Sequence, residues 1–188
     1  MIEELLRRQD ELRAEADRVV ADLDLDRLLS AVGEPVRTGS SALGLMAVPD
    51  IDVTVVCPAL DTAAVLRVGA ELGAHERVGA VRFRKDLGPW NAEPELYPDG
   101  LYLGVAFRTA AGRDWNLDLW FVDEPDRQPD LGHVRTLPAR LTPEVRAAVL
   151  LIKHERPDYR SFELYRAVLD SGVRTPEDYD RWRADDAG

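Results

Sequence analysis

Asp50-Ile51-Asp52-Val53 opens an apolar, β-branched run, Ile51 to Val56, bounded by Pro49 and Pro58. Side chains alternate along a strand, so Asp50 and Asp52 project from one face while Ile51 and Val53 enter the core. Aspartate is unfavourable in strands, and the rest of this one is apolar, which argues against a merely solvated acidic pair at a sheet edge. Two neighbouring carboxylates repel each other unless a cation lies between them. Mg²⁺ is the natural candidate, because it takes carboxylate oxygens together with phosphates and water. A third acid follows the same logic in Trp115-Asn116-Leu117-Asp118-Leu119-Trp120-Phe121. One face carries Trp115, Leu117, Leu119 and Phe121, and the other carries Asn116, Asp118 and Trp120. Asp118 is thus a lone acid midway along a hydrophobic strand, whereas Asp114 lies at the strand's start, where a solvated role is expected.

Gly39-Ser40 is separated from Asp50 by nine intervening residues. Alone, such a pair reads as a turn and a helix cap. Followed by a helix-like stretch, Ser41 to Val48, by Asp-x-Asp on a strand and by a later apolar-Asp-apolar strand, it resembles the polymerase-β-like nucleotidyltransferase superfamily, including its small bacterial, antibiotic-nucleotidyltransferase-like members. The resemblance covers about Val36 to Val122. It implies a Mg²⁺-dependent enzyme that moves a nucleoside monophosphate from a nucleoside triphosphate (NTP) to an acceptor hydroxyl and releases pyrophosphate. Asp50, Asp52 and Asp118 would be both catalytic residues and metal ligands for two Mg²⁺ ions. Gly39 would let the backbone approach the triphosphate, and Ser40 would offer it a hydroxyl and an N–H. The expected acceptor is a small molecule; nucleotidylation of a protein or tRNA, and a non-catalytic nucleotide-binding role, are the alternatives.

Other candidates each have a plain structural reading beside the functional one. Lys153 adjoins the apolar run Val149 to Ile152 and is taken as triphosphate-binding, as helical sections of this superfamily often supply such a group; otherwise it is a lysine on a solvated helix face. Arg82, Arg84 and Lys85 form a basic cluster that would meet phosphates or simply charge an edge strand. Trp120 shares the face of Asp118 and is placed at a cleft, while Trp90 either stacks on a ligand or is pinned on the core. Tyr165 is assigned to packing. His75, His133 and His154 are scattered without metal-ligand spacing.

The elements that must hold these residues are readable from periodicity. Ile2 to Leu23 is an amphipathic helix, and Asp24 to Val32 continues it or forms a short second one. Asp61 caps a helix through Leu72. Val78–Phe83, Leu101–Arg108 and Trp115–Val122 join Ile51–Val56 as strands. Asp86–Gly100 and Asp123–Pro138 read as irregular. Thr142-Pro143-Glu144 and Thr175-Pro176-Glu177 are helix starts, with Phe162–Leu169 helical between them. The expected fold is α+β: a mixed sheet of about four to five strands flanked by helices, the nucleotidyltransferase fold, with a C-terminal helical section. The division is a core with its N-terminal helix over 1–125 and the helical section over 139–188.

Composition sets limits on partners. The 188 residues carry a formal charge of −11, which opposes a long nucleic-acid ligand, since phosphate backbones need a basic footprint. It suits a cationic small acceptor. The one cysteine, Cys57, sits in an apolar run, as a buried thiol does. No stretch is apolar enough to span a membrane, and a cytoplasmic location is expected.

Overall fold

The parity of the two aspartate-bearing strands decides how the sheet packs. In the computed structural model, which describes residues 1–186, five strands form one mixed sheet. They are β1 (Glu34–Thr38), β2 (Asp50–Val56), β3 (Val78–Asp86), β4 (Gly100–Arg108) and β5 (Asp114–Val122), in the order β1-β2-β5-β4-β3. The β2–β5 pair is parallel and the others are antiparallel. On one face Ile51, Val53, Val55, Leu117, Leu119, Phe121, Leu101 and Leu103 are fully buried, beneath α1 (Ile2–Asp22), α2 (Leu25–Ser30) and α4 (Thr62–Gly73). Burial of each such side chain contributes about 1.5–3 kcal/mol, so a register slip of one residue, which would turn this set outward, is strongly disfavoured. The helix caps work as read: Asp61 Oδ1 accepts from the N–H groups of Ala63 and Ala64 at 2.9 and 3.0 Å.

On the opposite face the register lines up the polar residues. One row crosses all five strands through Thr38, Asp52, Asp118, Gly104 and Arg82. The next carries Thr54, Trp120, Tyr102 and Arg84. α3 (Gly39–Leu43) links β1 to the loop before β2. The remaining helices are α5 (Pro129–Thr136), α6 (Pro143–Glu155), α7 (Ser161–Asp170) and α8 (Pro176–Asp186). Together with Leu43 and Leu45 they bury a second apolar cluster that includes Val149, Ile152, Leu164, Val168 and Tyr179. No described helix is long and apolar enough to cross a membrane.

Three elements differ from the sequence expectation. β1 begins with Glu34-Pro35, and the proline hides it; an edge strand tolerates the missing N–H. The helix expected over Ser41–Val48 instead starts at Gly39 and ends at Leu43, because Gly44 adopts a left-handed conformation with φ 67°. The stretch Asp123–Pro138, read as irregular, contains α5. Its start carries proline and an acid in the first turn, but only Leu131 is buried, so there is no apolar period to find.

Candidate active site

β1 delivers the chain into α3 at Gly39, whose φ is +60°. A Cβ there would lie 1.9 Å from Asp52 Oδ2, so the glycine is required both by its backbone conformation and by the carboxylate against it. Ser40, half-buried, follows in the first turn of α3. The segment leading from α3 to β2 is held from α6. Arg146 donates through Nη1 to the carbonyls of Leu43 and Gly44, at 2.7 and 3.1 Å, and Lys153 Nζ donates to that of Leu45 at 3.0 Å. These residues lie seven positions apart, two helical turns, and so share one face of α6.

Asp50 and Asp52 on β2 and Asp118 on β5 each offer one carboxylate oxygen, all within 4.8 Å of one another. Burial, and then the charge of Asp118, pushes the Asp50 carboxyl up to about 6. Burial, followed by the charges of Asp50, Asp118 and Asp130, pushes Asp52 up to about 7. The ammonium of Lys153 pulls both back. Three converging oxygen donors in a half-buried, mutually repelling set are what a hard divalent cation neutralises, so the residues fit Mg²⁺.

Lys153 is not on a solvated helix face: it is 4% exposed. Its ammonium lies 3.4 Å from Tyr165 Oη and over the rings of Tyr159 and Tyr165, at 5.0 and 5.4 Å. Burial lowers its pKa to about 8, against the attraction of Asp52 and Asp50. Tyr165 packs in the second cluster as expected and also faces this ammonium.

Tyr102 is the neighbour that sequence reasoning missed. Its hydroxyl donates to Asp118 Oδ1 at 2.5 Å, and burial together with this bond pushes the phenol up to about 12. Nothing in a lone strand tyrosine marks such a contact; Gly104, opposite Asp118 in the register, is its only trace. Arg84 stacks over Tyr102 at 4.8 Å and Trp120 at 5.1 Å, while its Nε and Nη2 bond Asp86. Arg82 lines a groove of about 680 Å³ with Asp50, Asn116 and Asp118. On the other side of Tyr102 lies a cavity of about 560 Å³ walled by Arg84, Trp90, Tyr97, Trp120, Gln128 and Asp130. Trp90 is 73% exposed there rather than pinned on the core. Asp114 pairs with Arg108 on the surface. Among the described residues the three histidines join no group suited to holding a metal.

The sequence matches no protein-family model and no curated protein. Solved structures are similar in shape. One is described as a cytoplasmic RNA terminal U-transferase, at 22% identity and a TM-score of 0.50. Two others are of Cid1, with the UTP analogue UMPNPP and with its short product ApU, at 19% and 20% identity and TM-scores of 0.51 and 0.50. Each alignment covers 81% of this chain and 46% of the other, so the chain spans about half the length of these proteins. The likeness is one of fold: a five-stranded mixed sheet with flanking and C-terminal helices, the nucleotidyltransferase fold.

Proposed function

We propose that the protein transfers a nucleoside monophosphate from an NTP to an acceptor hydroxyl, with Asp50, Asp52 and Asp118 as its catalytic carboxylates. The observation that carries this reading is their convergence within 4.8 Å, directly against Gly39. Bound there, Mg²⁺ would neutralise phosphate charge and acidify the acceptor hydroxyl. The rest falls to the chain. Gly39 and Ser40 give the triphosphate a close backbone approach, and Lys153 lends positive charge from the α6 side. In the reaction the acceptor oxygen bonds to the α-phosphorus, the bond to pyrophosphate breaks, and Asp118 accepts the hydroxyl proton.

A small acceptor is supported by the net charge of −11 and by the cavity beside Asp118's strand neighbour Trp120, which has two tryptophans and Asp130 in its walls. Aromatic faces and an acidic wall suit a ring-bearing, aminated molecule. UTP is the first donor to test, since the structural neighbours include a terminal U-transferase and a complex with a UTP analogue. The same neighbours make an RNA 3′ end the second acceptor to test.

The experiment is thermal melting with each ribonucleoside triphosphate, with and without Mg²⁺, beside the Asp50→Asn/Asp52→Asn double variant. A ligand at one hundred times its dissociation constant adds about 2.7 kcal/mol, or roughly 5–11 °C for a chain of this size. A Mg²⁺-dependent shift absent from the double variant supports the reading and names the donor. No shift with any triphosphate at millimolar concentration sinks it. Pyrophosphate release on adding an aminated sugar or an RNA oligonucleotide then separates the acceptors.

A further inference from the structure

We propose that Tyr102 is a positioning residue for Asp118: its hydroxyl holds one carboxylate oxygen and so commits the other to the cation shared with Asp50 and Asp52. The inference rests on the reading of the three carboxylates as a metal site. On the β4–β5 ladder Tyr102 is paired with Trp120, and the residue opposite Asp118 is Gly104. To reach Asp118, the tyrosine must lean along its strand by one pair, across the place where a side chain at position 104 would stand. A Cβ at Gly104 would lie 2.5 Å from Tyr102 Oη and 3.0 Å from Cζ, so the glycine is the cut-out that admits the ring.

The lean is fixed from the other side as well. The Trp120 ring sits 4.9 Å from that of Tyr102, and the Arg84 guanidinium covers it at 4.8 Å. Arg84 is itself held by Asp86 through both carboxylate oxygens, at 2.9 Å from Nε and 2.9 Å from Nη2. A chain of contacts, Asp86 to Arg84 to Tyr102 to Asp118, therefore runs from the cavity wall to the third carboxylate. A phenol donates one hydrogen bond and then leaves the acceptor's remaining lone pairs free, which is the chemistry of an orienting partner. Partners of this kind usually carry tenfold to a hundredfold of metal affinity, on the order of what the ligand geometry is worth.

The test is a Mn²⁺ titration, read as free Mn²⁺ by electron paramagnetic resonance, on the wild type, Tyr102→Phe, Gly104→Ala and Asp118→Asn, with and without UTP. Tyr102→Phe keeps the ring and its stacking, and is expected to weaken the Mn²⁺ site by about tenfold to a hundredfold with little change in melting temperature. Gly104→Ala keeps the hydroxyl but displaces it and is expected to weaken the site in the same direction. Wild-type affinity in Tyr102→Phe overturns the proposal, and so does tighter binding, which would make the hydroxyl a competitor of the cation. Asp118→Asn separates the two levels: if it too binds Mn²⁺ as the wild type does, the carboxylate metal site itself fails. If it loses binding while Tyr102→Phe does not, only the role of Tyr102 is lost.

Discussion

Gly39 and Asp52 are in contact in a way that only glycine permits: a methyl group on the Gly39 Cα would lie 1.9 Å from Asp52 Oδ2. Gly39 opens α3 directly after β1, which ends at Thr38, the register partner of Asp52 on β2. The turn after β1 is therefore pressed onto the second carboxylate of the Asp-x-Asp pair. A ligand held by that carboxylate would lie against the Gly39 backbone, with no side chain between them.

Gly39→Ala is expected to separate this contact from general stability. A residue other than glycine in a left-handed conformation costs about 1–2 kcal/mol. For a chain of this size that lowers the melting temperature by roughly 2–8 °C. The larger effect should be on the site, because the new methyl must push the Asp52 carboxylate aside. Circular dichroism should report an intact fold while the Mg²⁺-dependent melting shift with UTP disappears. Retention of the full shift would mean that Asp52 is not needed where it stands.

What was legible in the sequence follows from which residues break a local pattern. Asp50, Asp52 and Asp118 stand out because each is an acid in an otherwise apolar strand, and parity alone places them on one face. Trp115, Leu117, Leu119 and Phe121, assigned to the opposite face by the same parity, are all buried. Tyr102 breaks no pattern, since aromatic residues favour strands, and its partner is chosen by cross-strand register. Arg146 and Lys153 find carbonyl partners more than one hundred residues earlier in the chain, a relation no local spacing encodes. Lys153 stands out in the sequence for its apolar neighbours, but its burial among Tyr159, Tyr165 and the Leu45 carbonyl depends on how α6 and α7 pack. β1 and α5 were missed because proline masked one and a weak apolar face the other.

Without divalent cation, stability should fall as the pH rises from about 4 to about 7. Asp50 and Asp52 have folded pKa values of about 6 and about 7, above the ordinary 3.8. The folded chain therefore binds more protons over this interval, and ionisation on rising pH costs folding free energy. Lys153 acts in another window: its pKa is lowered to about 8 from 10.5, so it adds stability as the pH rises between those values. Mg²⁺ competes with the carboxyl protons and should raise the melting temperature more at about pH 8 than at about pH 5. Melting curves in chelator and in Mg²⁺ across this range test the idea, with Asp50→Asn/Asp52→Asn as the control that should flatten the dependence. An equal Mg²⁺ effect at both ends would contradict it.

Trp90→Ala should act on the acceptor and not on the nucleotide. The indole is 73% exposed, on the wall of the cavity that also holds Trp120. A stacking contact of this kind is worth about 0.5–1.5 kcal/mol, which is roughly a twofold to thirteenfold rise in acceptor KM. The UTP-induced melting shift is expected to match the wild type, because the cavity lined by Trp90 includes neither Gly39 nor Lys153. An unchanged acceptor KM would move the acceptor to the groove lined by Asn116 and Arg82.

Lys153→Met should weaken triphosphate binding and alter the titration of the carboxylates together. The ammonium is buried and methionine fills a similar volume without its charge, but the Leu45 carbonyl loses its donor, so the fold should persist with a stability lower by about 1–3 kcal/mol. A charge-assisted hydrogen bond to phosphate contributes about 1.5–3 kcal/mol, so the dissociation constant for Mg²⁺-UTP should rise about tenfold to a hundredfold. Lys153 also supplies the positive field that pulls the Asp50 and Asp52 pKa values down. Its removal should let both rise further, and the pH at which Mg²⁺ begins to stabilise the protein should move up with them. The two readouts have different causes, which makes the variant informative in either direction. Weaker UTP binding with an unmoved pH midpoint would place Lys153 at the phosphates but out of electrostatic reach of the carboxylates. A moved midpoint with wild-type UTP affinity would make it a counter-charge for the carboxylates and nothing more.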